Sequence, residues 1–112
     1  VPAFGTTHAD YFYGEIPCTR QLSPAELEGD IELETGRAIV ETFTQRKIDP
    51  MRIPGALVYG HGPFCWGTDV LNAFDYTVII EKVARMAYKT LSLNKVNPID
   101  QKMLDRHFFK QS

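Results

Sequence analysis

Three histidines, two cysteines and a scatter of carboxylates are the side chains of this sequence best suited to chemistry. His8 lies in Thr6-Thr7-His8-Ala9-Asp10, so an imidazole and a carboxylate stand two residues apart. Both groups transfer protons when a cleft holds them. Asp and Thr also bond readily to nearby backbone, so the same run suits a turn. His61 sits between Gly60 and Gly62, where glycine permits backbone angles and close approaches that other residues avoid. A neutral imidazole is a good zinc ligand, but a catalytic zinc centre takes three protein ligands. No His-x-His or His-x-x-x-His pair accompanies His61, so the residues leave open both a metal ligand and a loop histidine. His107 falls on the partly exposed face of an expected terminal helix, with nothing nearby in sequence to give it a chemical role.

Other groups read more plainly. Glu32, Glu34 and Glu41 are expected to be solvated carboxylates on a helix face. Tyr11, Phe12 and Tyr13 must point in different directions, which suits packing and leaves an intersubunit surface open to some of them. Gly60-His61-Gly62 runs into Pro63 and lacks the Lys-Ser/Thr of a phosphate loop. Cys18 and Cys65 are far apart and in no metal-type spacing, so neither a disulfide framework nor a Cys-rich zinc site is indicated, and a reducing cytoplasm is expected.

With 44% hydrophobic and 23% charged residues, the 112-residue chain has the composition of one globular unit. A net charge of −2, with Lys and Arg scattered, gives no nucleic-acid footprint and favours small or neutral partners. No apolar run is long enough to span a bilayer, and no signal segment opens the chain, so neither a membrane nor export is expected. The opening Val1-Pro2 reads as a continuation from an upstream segment.

The elements that must position these residues follow from patterning. Val1 to Ile16, rich in Gly, Thr and aromatics, suits a strand leading into an ordered loop. Ser23-Pro24-Ala25-Glu26 has capping-box spacing with Pro at the first helical position, and Gly29 ends that short helix. Glu32 to Lys47 carries helical spacing. Ala56 to Tyr59 is expected as a buried strand that delivers His61, followed by a second strand at Phe64 to Gly67. Thr68 or Asp69 can cap a helix from Val70 to Leu91, with Leu71, Phe74, Val78, Val83, Met86, Ala87 and Leu91 as its inward stripe. Asn97-Pro98 starts a last helix, Ile99 to Phe109.

Gly5-Thr6-Thr7-His8-Ala9-Asp10-Tyr11-Phe12-Tyr13-Gly14, followed by Ile16-Pro17-Cys18-Thr19-Arg20, resembles a motif of the L-ribulose-5-phosphate 4-epimerases, within the class II aldolase superfamily. Glu34-Thr35-Gly36, Val40-Glu41-Thr42-Phe43, Pro54-Gly55, Leu57-Val58, His61-Gly62-Pro63-Phe64 and Trp66-Gly67 continue the likeness in order. Where many members carry His-Ser-His-Gly-Pro, this chain has Tyr59-Gly60-His61-Gly62-Pro63 and keeps only the ligand position.

The resemblance implies an α/β three-layer sandwich with a mainly antiparallel sheet flanked by helices, of which residues 1–112 form the C-terminal half of one domain. It implies a homotetramer with sites between subunits, a sugar-phosphate substrate and Zn²⁺ or another divalent ion. His61 would be one of three histidine ligands, the other two lying in an upstream His-x-His. Asp10 would be the acid-base carboxylate, acting in the adjacent subunit's site. Its counterpart would be a tyrosine in a C-terminal tail, which residues 108–112 do not supply. Two alternatives stand beside the epimerase: a sugar-phosphate aldolase, which the Thr-His-Ala-Asp-Tyr string disfavours, and a non-catalytic oligomerisation module.

Overall fold

The computed structural model describes residues 1–110; Gln111 and Ser112, the end of the segment lacking the tail tyrosine, lie outside the described residues. The architecture is mixed α/β, as expected, with one two-stranded sheet and five helices among the described residues. In chain order the elements are α1 (Thr6–Tyr11), α2 (Pro24–Glu28), α3 (Ile31–Gln45), β1 (Gly55–Val58), β2 (Gly62–Cys65), α4 (Val70–Leu93) and α5 (Gln101–Lys110).

The start of the chain departs from expectation. In place of the expected strand, Thr6–Tyr11 coils into a short helix after an extended Gly5, and Ala9 and Phe12 become fully buried on one side of it. Tertiary burial outweighs the strand preference of Thr and the aromatics, because such preference is weak against packing. The expected capping box of α2 is present: the Ser23 hydroxyl accepts from the Glu26 amide and the Glu26 carboxylate accepts from the Ser23 amide. Asp30 caps α3 by accepting from the Leu33 amide, so this helix begins just before the expected Glu32, and Lys47 at a φ of 55° follows its end. Asp69 caps α4 through the Asn72 amide. α5 starts at Gln101, beyond the expected Ile99, whose amide instead donates to Ala3 O at 2.8 Å.

β1 and β2 form an antiparallel hairpin, with Gly55 opposite Cys65 and Val58 opposite Gly62. β2 therefore begins before the expected Phe64 and ends at Cys65. Trp66 leaves the ladder: its amide donates to Pro54 O and its indole to Pro50 O. On the other edge of β1, Cys18 makes a single parallel bridge to Leu57. Phe12, Ile16, Phe43, Ile53, Ala56, Ile80 and Val83 close the core around this hairpin.

α4 corrects the expected inward stripe. Val83 and Ala87 are buried, joined by Ile80, whereas Leu71, Phe74, Val78, Met86 and Leu91 are exposed. A 24-residue helix is about 36 Å long. The molecule measures 43 × 34 × 24 Å, so this helix is longer than either of its shorter dimensions, and α1, β1 and β2 cover only part of it.

Candidate functional site

Asp10 is one residue from the end of α1, beside the buried Ala9, and the packing of α1 on α5 sets its surroundings. Its Oδ1 lies 3.0 Å from His107 Nδ1, and both side chains are partly buried, at 29% and 30% exposure. No local pattern joins residues 97 positions apart, and this partnership is the main site feature that sequence reading misses. A carboxylate held by an imidazole and still open to solvent can accept or deliver a proton at a bound molecule.

The loop after α1 adds a second contact with α5. The Tyr13 hydroxyl donates to Asp105 Oδ1 at 2.5 Å, and Gln101 Nε2 donates to the same oxygen at 2.9 Å and to the Tyr13 hydroxyl at 3.2 Å. The bond to Asp105 raises the Tyr13 phenol and lowers the Asp105 carboxyl, so the donor stays neutral and the acceptor charged. Phe108 and Phe109 pack on the Tyr13 ring at 5.0 and 5.1 Å, and the Arg52 guanidinium lies 5.3 Å from its centre.

His8, the other imidazole of the motif, is turned inward at 2% exposure and serves the scaffold. Its Nε2 lies 2.6 Å from Gly14 O, and since a carbonyl only accepts, Nε2 carries the hydrogen. Nδ1 is then a buried acceptor without a partner among the described residues. Burial in this apolar setting pushes the imidazole below its usual range, although the Gly14 bond opposes the shift.

His61 is presented at the hairpin turn, where Gly60 and Gly62 take φ values of 70° and 149° that other residues adopt only under strain. The strand-end delivery expected of it is present. Its exposed ring stacks on Phe64 at 5.3 Å. It lines a groove of about 740 Å³ walled by α2, α3 and the hairpin, together with Leu27, Ile31, Glu32, Thr35 and Tyr59. Asp10 is not in that wall, so the chain carries the two expected site residues on separate surfaces.

Among the described residues no three His, Cys, Asp or Glu side chains converge as a metal set. The residues present therefore fit one donor of a three-ligand ion and not the whole set. The helix-face carboxylates take ordinary partners: Glu34 pairs with Arg37 at 3.2 Å, and Arg20 joins Glu26 to Glu41 at 2.8 and 2.9 Å. Arg20 holds the Glu26 carboxyl well below the usual carboxylate range.

Comparison with known proteins adds family likeness to this geometry. Residues 1–88 match the family described as Class II Aldolase and Adducin N-terminal domain. L-ribulose-5-phosphate 4-epimerase UlaF of Salmonella typhi is 48% identical over 112 residues, covering 99% of this chain and 48% of the relative. The UlaF proteins of Salmonella paratyphi A and Salmonella choleraesuis are 48% and 47% identical over the same shares. The chain spans about half the length of the curated relatives it matches.

Proposed function

We propose that this chain, which belongs to the Class II Aldolase and Adducin N-terminal domain family, is the C-terminal part of an L-ribulose-5-phosphate 4-epimerase domain. The complete protein would interconvert L-ribulose 5-phosphate and D-xylulose 5-phosphate. The observation that carries this reading is the 48% identity across 99% of the chain to proteins bearing that name. The partial α/β fold and the partly exposed Asp10 carboxylate beside His107 support it.

Inverting C4 of a ketopentose phosphate is difficult by simple proton exchange, since the hydrogen on C4 is not acidic. Breaking the C3–C4 bond avoids the problem. Removal of the C4 hydroxyl proton lets that bond cleave to an enediolate and glycolaldehyde phosphate. Rotation of the aldehyde and re-formation of the bond on its other face return a C4 alkoxide that must be protonated. One proton-transfer group is needed on each face, and Asp10 is assigned to one of them. Its counterpart on the other face is assigned to a group beyond this chain.

His61 is assigned as one ligand of a divalent ion, zinc or another, with the remaining ligands in the rest of the domain. Such an ion supplies Lewis-acid stabilisation to substrate oxygens when bound. The separation of His61 from Asp10 fits a site assembled between subunits of a homo-oligomer, a tetramer in the implied arrangement, acting in the cytoplasm. No helix among the described residues is long and apolar enough to cross a membrane.

Product analysis on the complete protein tests the reaction. Conversion of L-ribulose 5-phosphate to D-xylulose 5-phosphate without net aldehyde is expected; net release of glycolaldehyde phosphate would identify an aldolase instead.

A further inference from the structure

α1 and the loop after it meet α5 at two points in opposed chain order. Asp10 meets His107, and three residues later Tyr13 meets Asp105, two residues earlier in α5. The segment leading into α5, residues 94–100, has no regular structure and is largely exposed, with Ile99 tied to Ala3 by one backbone bond. α5 itself buries only Leu104. Its placement therefore depends on what grips it from α1 and the following loop. Tyr13 supplies that grip through a hydroxyl bonded to charged Asp105, a ring packed on Phe108 and Phe109, and the Arg52 guanidinium lying against Tyr13 and Phe109.

We propose that the Tyr13–Asp105 bond is a positioning device that sets α5 so that the His107 imidazole stays against the Asp10 carboxylate. The catalytic part of this inference rests on the reading of Asp10 as a proton-transfer group. A side chain two residues from His107 fixes the rotation of the helix, and rotation decides whether Nδ1 reaches Oδ1. Charge-assisted bonds are the ones strong enough for such a role. Gln101, bonded to both partners, keeps the acceptor oriented.

The test compares the complete protein with its Tyr13→Phe, His107→Asn and double variants, using L-ribulose 5-phosphate and measuring kcat and KM across pH. Tyr13→Phe keeps the ring and removes only the hydroxyl. The expected result is a kcat lowered about tenfold, the scale of one charge-assisted hydrogen bond, with KM little changed. The pH profile should move toward that of His107→Asn, and the double variant should be no slower than His107→Asn alone. Losses that multiply in the double variant, or a Tyr13→Phe that loses thermal stability while keeping kcat and the pH profile, would overturn the proposal.

Imidazole NMR signals of His107 separate the two readings. If Asp10→Asn is inactive and Tyr13→Phe leaves the His107 signals unmoved, the anchor is wrong and the acid-base reading stands. If Tyr13→Phe shifts those signals while Asp10→Asn retains full turnover, the anchor stands and the acid-base reading falls.

Discussion

His8 carries its proton on Nε2 because Gly14 offers only a carbonyl oxygen, and adding a second proton would place a charge on buried Nδ1 with no acceptor beside it among the described residues. Its folded pKa lies below the ordinary value of 6.5, so the unfolded chain takes up the proton first as pH falls. The stabilising contribution is complete above the unfolded value and is lost as pH drops through the folded one. Thermal melts of the complete protein should therefore show Tm falling as pH drops below about 6.5, with a shallower fall in His8→Gln; equal slopes would contradict the assignment. His61 makes a different prediction. If the proposed ligand role holds, His61→Ala should lower bound metal from about one ion per chain, the stoichiometry of a catalytic three-ligand site. Unchanged metal content would remove it from the ligand set. At this scale the residues alone leave Asp10 and His61 between chemical and ordinary roles, and family likeness supplies the roles proposed. The His107 partner of Asp10 is illegible in sequence because the packing of two helices, not local spacing, brings together residues 97 apart.

α2 and α4 are the most legible elements, since Ser23 and Asp69 each satisfy amides that a helix start leaves bare; Asp30 does the same for α3, a cap that sequence reading misses. α1 is not legible, because six residues are too few for a helical period to show and its burial is decided by distant partners. The start of α4 also depends on a feature no period reveals. Gly67 packs so closely beneath it that an added Cβ would stand 2.3 Å from Asn72 Oδ1 and 2.8 Å from the Ala73 amide nitrogen. Asn72 accepts from the Thr68 amide, and its own amide donates to Asp69. Gly67→Ala must then push aside both the cap and the helix backbone, a strain of about 1–3 kcal/mol. Denaturant unfolding should report that loss; a variant as stable as the parent would mean the turn is free to shift. Gly55 is a gentler case: a Cβ there would meet Cys65, Ile80 and Phe12 side-chain atoms at 3.3 to 3.4 Å, where small movements suffice.

At the scale of the whole molecule, the apolar stripe of α4 is legible as a pattern, but the pattern alone does not say which of its residues face inward. Val70, Leu71, Phe74 and Leu93 are 62% to 88% exposed, since the helix outruns the elements packed on it. Large apolar side chains left bare along a helix promote association. The 112-residue chain expressed alone should bind an apolar dye and sediment above its 12.7 kDa mass, and a dye-free monomer would show the face to be inert. In the complete assembly, the reading of Asp10 as the proton-transfer carboxylate of a sugar-phosphate epimerase turns on one comparison. Turnover of L-ribulose 5-phosphate is measured for the complete protein and for its Asp10→Asn variant, which keeps the size of the side chain and removes its acid-base function. The parent should form D-xylulose 5-phosphate, and Asp10→Asn should lower kcat by about 10²–10⁴-fold, the usual contribution of a positioned acid-base group. A correctly folded Asp10→Asn that turns over as fast as the parent would contradict that role.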